Sequence, residues 1–276
     1  MRVLADVGGT NARFAISGPA GTGPVTRFRV SDFDRFEDAL AAFLANEQTV
    51  PDDVVIAAAG PREGEVIKLT NADWRIAASS VSDAAEGAAV VLLNDLEAVA
   101  LALPHLGESQ IERIGGAISD GPMLAFNVGT GLGAAVAIPG GASWRALSTE
   151  AGHMRFAPVT EHERALVGSV MTYEDVLSGD GWRMLEAQVP DPTKRRLLFS
   201  GLLGRVAGDL VLATGAWGGV YFCGGVLDDW DDKVDAAAFD GAFEDKGPMT
   251  ARMTVTPRLR ILDPSPALVG LAHAEI

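Results

Sequence analysis

Two stretches 121 residues apart are written to one design, and this repetition limits what the chain can fold into more than any other feature. The first, Arg2-Val-Leu-Ala-Asp-Val-Gly-Gly-Thr-Asn-Ala-Arg-Phe-Ala-Ile16, reads as apolar strand, glycine turn and apolar strand. Asp6 stands near the end of the first strand, and Thr10 and Asn11 lie just past Gly8 and Gly9. The second, Phe126-Asn-Val-Gly-Thr-Gly-Leu-Gly-Ala-Ala-Val-Ala-Ile138, repeats the pattern, with Asn127 in the place of Asp6 and with Gly129, Thr130 and Gly131 in the turn. A period this long is wrong for a solenoid and suits a chain made of two related halves.

The glycines are free to take positive φ, and they let backbone N–H groups approach a ligand closely. A carboxylate beside those donors repels a phosphate unless a divalent cation intervenes. The pattern therefore points to a Mg²⁺-nucleotide rather than a bare anion, with two such turns gripping a triphosphate. Taken alone, Gly-Gly-Thr fits an ordinary hairpin better, and it is the second copy that turns the reading toward a nucleotide.

From the first hairpin through residue 71 the order is β-β-α-β-β, which argues against a pure Rossmann sheet. A helix opening at Ser31 places Phe33, Phe36, Leu40, Phe43 and Leu44 on one face. Val54–Ala59 is a buried strand, and a strand over 65–71 follows the Gly60–Gly64 turn. Ala88–Asp95 is an apolar strand ending in two polar residues, followed by a helix with Leu96, Val99 and Leu103 inward. Asn94 with Glu97 reads as a capping box. Asp95 reads as a carboxylate at the carboxyl end of a buried strand, where open α/β sheets place their chemistry. The two readings are compatible.

Further on, Glu150 and His153 bracket a glycine in a segment with no regular pattern, while Glu174 in Met171–Leu177 reads as a solvated helix charge. Gly201, Gly204 and Gly208 share a helical spacing that suits close packing on a neighbour. Gly218–Gly225 is a strand ending in Gly224-Gly225, suited to a flat adenine or ribose. Leu210–Leu227 has no charged residue, but five glycines break it into helix end, turn, strand and turn rather than a membrane span.

Acidic residues outnumber basic ones 37 to 22, a balance that disfavours nucleic acid and anionic membranes. The single cysteine, Cys223, rules out a disulfide within the chain or a multi-cysteine zinc site and suits a reducing, cytoplasmic compartment. Asp6 comes too early for a secretory signal to precede it. Gly129–Ala134 matches the loose dinucleotide pattern, but no helix follows it, and there is no Walker A lysine.

With these pieces in place, the chain resembles the bacterial glucokinase family of the hexokinase–actin superfamily of ATPases. The resemblance runs almost the whole length and rests on motifs in the family's order. These are Asp6-Val-Gly-Gly-Thr-Asn-Ala-Arg13, Leu69-Thr-Asn-x-x-Trp74, Asn94-Asp95, Gly129-Thr-Gly-Leu-Gly133, Glu150-x-Gly-His153, Glu174-x-Val-Leu-Ser-Gly179, Gly218-Gly-Val-x-x-x-Gly-Gly225 and Phe243-Glu-Asp-Lys-Gly247.

The resemblance implies an α/β protein of two ribonuclease-H-like (actin-like ATPase) domains with mixed sheets flanking a central cleft. A small domain would comprise 1–105 plus 263–276, and a large domain 106–262. It implies ATP and Mg²⁺ as cofactors, glucose as the phosphorylated partner, and compatibility with a homodimer.

Asn94, Glu150, His153, Glu174 and the Gly131 backbone would hold sugar hydroxyls, and Asp95 would be the general base. Asp6 would reach Mg²⁺ through water. Gly8, Gly9, Thr10, Asn11, Gly129 and Thr130 would hold phosphates, and Gly224 and Gly225 would face the adenosine. A kinase for another hexose or an amino sugar, and a silent sugar-binding regulator, are the competing readings. Asn127 departs from the small residue usual in the family, and the stretch from Gly181 to Gly218 is shorter than usual.

Overall fold

Apolar alternation on either side of the first glycine turn builds an antiparallel pair, β1 (Arg2–Val7) and β2 (Asn11–Gly18), in which Asp6 lies opposite Arg13. The computed structural model describes residues 1–19, 21–70, 72–166 and 170–276. Asn71, one of the motif residues above, falls outside them.

Two short strands, β3 (Gly21–Thr22) and β4 (Thr26–Arg29), pair with β2, and helix α1 (Phe36–Glu47) follows. The turn expected to open this helix at Ser31 is instead a separate 3₁₀ turn, Val30–Asp32, and Phe33 is extended. Next come β5 (Asp53–Ala58), a small antiparallel sheet of β6 (Arg62–Glu63), β7 (Val66–Lys68) and β8 (Arg75–Ala77), α2 (Ala78–Ala84), β9 (Ala89–Asn94) and α3 (Asp95–Ala102).

Among the described residues the first main sheet has the order β3-β2-β1-β5-β9, with β4 on β2, and β1, β5 and β9 are mutually parallel. Phe14 anchors its core, stacking on Phe36 and Phe43 at ring centroids 5.8 and 5.2 Å apart.

The second half repeats this plan. Strands β10 (Ile111–Gly115), β11 (Met123–Val128), β12 (Leu132–Pro139) and β13 (Trp144–Thr149) precede α4 (Glu161–Ala165), α5 (Gly179–Gln188) and α6 (Pro192–Thr214). Strand β14 (Gly219–Cys223), α7 (Trp230–Lys233), α8 (Ala236–Glu244), α9 (Thr250–Val255) and β15 (Arg258–Ile261) complete it.

The sheet order is β10-β15-β14-β11-β12-β13. Here β11-β12-β13 is the meander equivalent to β1-β2-β4, and the parallel strands β14 and β15 correspond to β5 and β9. Helix α6 is long and apolar enough to cross a membrane by length and composition, yet Phe199, Leu202, Leu203 and Val206 bury it in the core of this half.

The chain then returns to the first sheet as α10 (Pro266–Ala272), so that it divides into two units, Met1–Leu106 with Pro264–Ile276, and Gly107–Asp263. Helix α10 lies so close to α3 that a Cβ at Gly270 would sit 1.8 Å from the Ala98 carbonyl. Arg2 donates from Nη1 to the carbonyls of Ala272 and Ala274 at 3.0 and 2.9 Å, satisfying the otherwise open end of that helix.

Candidate active site

In the first unit the candidate residues collect at one edge of the sheet, the carboxyl ends of the parallel strands β1, β5 and β9. Asp6 is level with Ala57, and Asn94 is level with Ala58. At the usual strand spacing, β1 and β9 are roughly 10 Å apart here.

Asn94 is the N-cap of α3. Its Oδ1 accepts from the Leu96 N–H at 3.0 Å, while Glu97 accepts from the Asn94 N–H at 2.9 Å. The cap uses only Oδ1. Asp95 also accepts from the Leu96 N–H, at 2.9 Å. Burial pushes the Asp95 carboxyl up to about 6, helped by the charge of Asp6 and opposed by the Leu96 hydrogen bond.

Asp6 is itself buried and its pKa is raised, although the Arg13 guanidinium lies 2.8 Å away and pulls the other way. One cation does not offset the burial of this carboxylate. Among the described residues no cluster of three metal-binding side chains exists. A single carboxylate fits Mg²⁺ that takes its remaining ligands from phosphates and water.

Arg13 was not among the residues singled out from sequence. The signal was available, because in an antiparallel hairpin whose turn is centred between Gly9 and Thr10 the residue facing position 6 is 13.

The first turn is closed by the Gly8 N–H donating to the Asn11 carbonyl at 2.9 Å, and the Thr10 carbonyl accepts from the Val30 N–H at 3.0 Å. Gly8, Gly9, Gly129 and Gly131 are not among the glycines with positive φ, so these turns do not use the conformational freedom open to them. A Cβ at Gly8 would meet only the Asn11 carbonyl, at an ordinary 3.7 Å. The fold thus does not require glycine at this position, whereas a group approaching the backbone would.

In the second unit the Gly129–Gly131 turn is braced on both sides. The Gly179 N–H donates to the Gly129 carbonyl at 2.8 Å, and Glu174 Oε2 accepts from the Leu132 N–H at 2.9 Å. Glu174 is therefore not a solvated helix charge. Residues 173–178 form turns, and its carboxylate is drawn to the hairpin because Gly131 offers no Cβ, which would lie 2.5 Å from Oε2.

Its own N–H donates to the Gly152 carbonyl at 2.9 Å, which joins Glu174 to the 3₁₀ turn Ala151–His153. There the exposed side chains of His153 and Glu150 approach to 3.7 Å. Gly131, Glu150, His153 and Glu174 thus form one neighbourhood.

Gly224 has φ +104°, and a Cβ there would lie 2.4 Å from the Val128 carbonyl, so the fold itself accounts for this glycine. Gly225 has no such contact. Beside Gly224, a pocket of about 210 Å³ opens at the carboxyl ends of β14 and β15, lined by Phe222, Cys223, Leu227, Asp228 and Arg260.

A family model described as Glucokinase matches residues 3–196 and 185–275. The glucokinase of Nitrobacter hamburgensis is 33% identical over 314 aligned positions that take in 100% of this chain and 97% of that protein. The alignment is longer than the chain, and the two family matches overlap across the α5–α6 link, in keeping with a shortened segment there.

Among solved structures, the glucokinase from an Antarctic psychrotroph has a TM-score of 0.86 at 27% identity, covering 99% of this chain and 97% of that one. The ROK family glucokinase from Streptomyces griseus, in complex with glucose and AMPPNP, has a TM-score of 0.64 at 20% identity over 98% and 97% of the two chains, a likeness of fold.

Proposed function

The chain belongs to the glucokinase family, and from this we propose that it transfers the γ-phosphate of ATP to the 6-hydroxyl of glucose, the first step of glycolysis. The observation that carries the reading is Asp95, a carboxylate at a strand end, fixed by a helix cap and held by burial at about 6. A base with that pKa is ionised at neutral pH yet basic enough to accept a proton in the transition state.

Asp95 takes the 6-hydroxyl proton as that oxygen forms its bond to the γ-phosphorus and the bond from phosphorus to the bridging oxygen of ADP breaks. Asn94 spends Oδ1 on the cap and donates from Nδ2 to the Asp95 carboxylate, which leaves the second Nδ2 hydrogen for a sugar oxygen. Glu174, with Oε2 engaged by the Leu132 N–H, offers Oε1 to a sugar hydroxyl, and Glu150 and His153 supply further polar contacts. Such a set leaves unpaired groups when the wrong epimer binds, which gives discrimination.

Phosphoryl transfer needs positioning and charge neutralisation more than covalent help. The Gly8–Asn11 and Gly129–Gly131 turns supply backbone donors, and the pocket beside Gly224 takes the adenosine. Asp6 would hold Mg²⁺ through water, and the metal when bound neutralises charge on the phosphates. The compartment consistent with this role is the cytoplasm, and a homodimer is compatible with it.

A coupled assay of ADP release across a panel of hexoses and amino sugars tests the proposal. Glucose should give the highest kcat/KM. Preference for another sugar would reassign the substrate, and sugar binding without ADP release would identify a regulator.

A further inference from the structure

Asn127 and Asp6 hold equivalent places in the duplicated hairpins, each one residue before the end of the first strand. Their surroundings differ. Across the ladder Asp6 faces Arg13, which balances its charge, whereas Asn127 faces Gly133 and so has no cation opposite. On its other side Asn127 pairs with Cys223 of β14.

The carboxamide of Asn127 fills the space between two turns. A Cβ at Gly129 would lie 3.3 Å from its Nδ2, and a Cβ at Gly224 would lie 2.6 Å from its Oδ1. The Cys223 thiol donates to Oδ1 at 3.7 Å. Nδ2 donates to no group among the described residues, and it is the atom on the side of the glycine hairpin.

We propose that Asn127 is a nucleotide-contacting residue: Nδ2 donates to a phosphate oxygen lying against the Val128–Leu132 turn, while Oδ1, accepting from the Cys223 thiol, ties that turn to β14. The inference rests on the kinase reading above. It gives the two equivalent positions complementary tasks. The carboxylate at position 6 serves the metal side of the polyphosphate. The neutral amide at position 127, where an unbalanced carboxylate would repel phosphate, adds a donor without a charge.

The substitution Asn127→Asp tests this cleanly, since it keeps the shape and Oδ1 and changes only the unpartnered donor into a charged acceptor. ADP binding is titrated by calorimetry on the full chain with excess EDTA, alongside glucose binding and thermal unfolding without ligand. Asn127→Asp should weaken ADP by at least ~10-fold, and Asn127→Ala by about tenfold, the scale of one hydrogen bond to a charged group. Glucose affinity and Tm should stay unchanged, and the Asp penalty should shrink as salt is raised.

ADP affinity of Asn127→Asp within about twofold of the parent, well below one such bond, would overturn the proposal. So would an equal loss of glucose affinity with a lowered Tm in both variants, which would leave Asn127 a structural wedge. If Asn127→Asp does not fold, Asn127→Ala and Asn127→Ser carry the same readout. A parent protein that binds no ADP would sink the kinase reading itself, a different outcome from a parent that binds and an Asp variant that binds equally.

Discussion

On the proposed reading, the burial that suits Asp95 to act as the base also taxes the fold. The carboxyl rises from 3.8 to about 6, so it is protonated below that pH. The kcat/KM profile should therefore fall on the acid side with an apparent pKa near 6 and level off above it. Asp95→Asn should cut turnover by at least ~10² while glucose still binds.

Because the folded chain holds this proton more tightly than the unfolded chain, the stability that Asp95 contributes is fully present below the unfolded value of 3.8. It is lost as pH rises through about 6, by about 3 kcal/mol in all. The Asn variant keeps an acceptor for the Leu96 N–H and loses that cost, so its Tm at pH 7.5 should exceed the parent's. A lower Tm would show that the charge is compensated.

The cap at Asn94 and the strand-end placing of Asp95 were legible in sequence because both depend on neighbours within three residues. The desolvation was not, since it comes from side chains brought in by other strands.

The helices make the same point about range. Gly204 and Gly208 on α6 do pack tightly, with Cβ positions 2.2 Å from the Phe239 carbonyl and 2.7 Å from the Phe243 carbonyl of α8, whereas Gly201 faces open space. Spacing alone suggested a single face and could not say which of the three meets backbone. Gly204→Ala should therefore cost about 1–3 kcal/mol in urea unfolding, as overpacking does. Gly201→Ala should gain about 0.5–1 kcal/mol from helix propensity. Equal effects at the two sites would contradict the α6–α8 contact.

Glu174 was misread for a related reason. Local pattern made it a helix charge, but its partners, the Leu132 N–H and the Gly152 carbonyl, lie 42 and 22 residues away in sequence. Where a motif's partners lie in its own hairpin, sequence reveals them. Where they lie on another element, resemblance to a family carries the information that periodicity lacks.

For the whole molecule, duplication explains why two sheets share one plan: a meander of three strands continued by two parallel ones. The formal charge of −15 acts on both units. Self-repulsion of an acidic surface outweighs its exposed ion pairs, which are individually worth little. Raising NaCl from about 20 to about 300 mM, which shortens the screening length several-fold, should raise Tm. A fall would mean that the ion pairs dominate.

The return of α10 to the first sheet has a consequence for synthesis. In synthesis, residues 107–263 are translated after most of the first unit and before the segment that seats on α3 and reaches Arg2. The first unit thus stays incomplete while the second is being made, and the helix that begins at Asp95 waits for its neighbour. At about 5–20 residues per second, residues 107–263 take roughly 10–30 s to make, and for that interval the first half is unsealed and chaperones have something to hold.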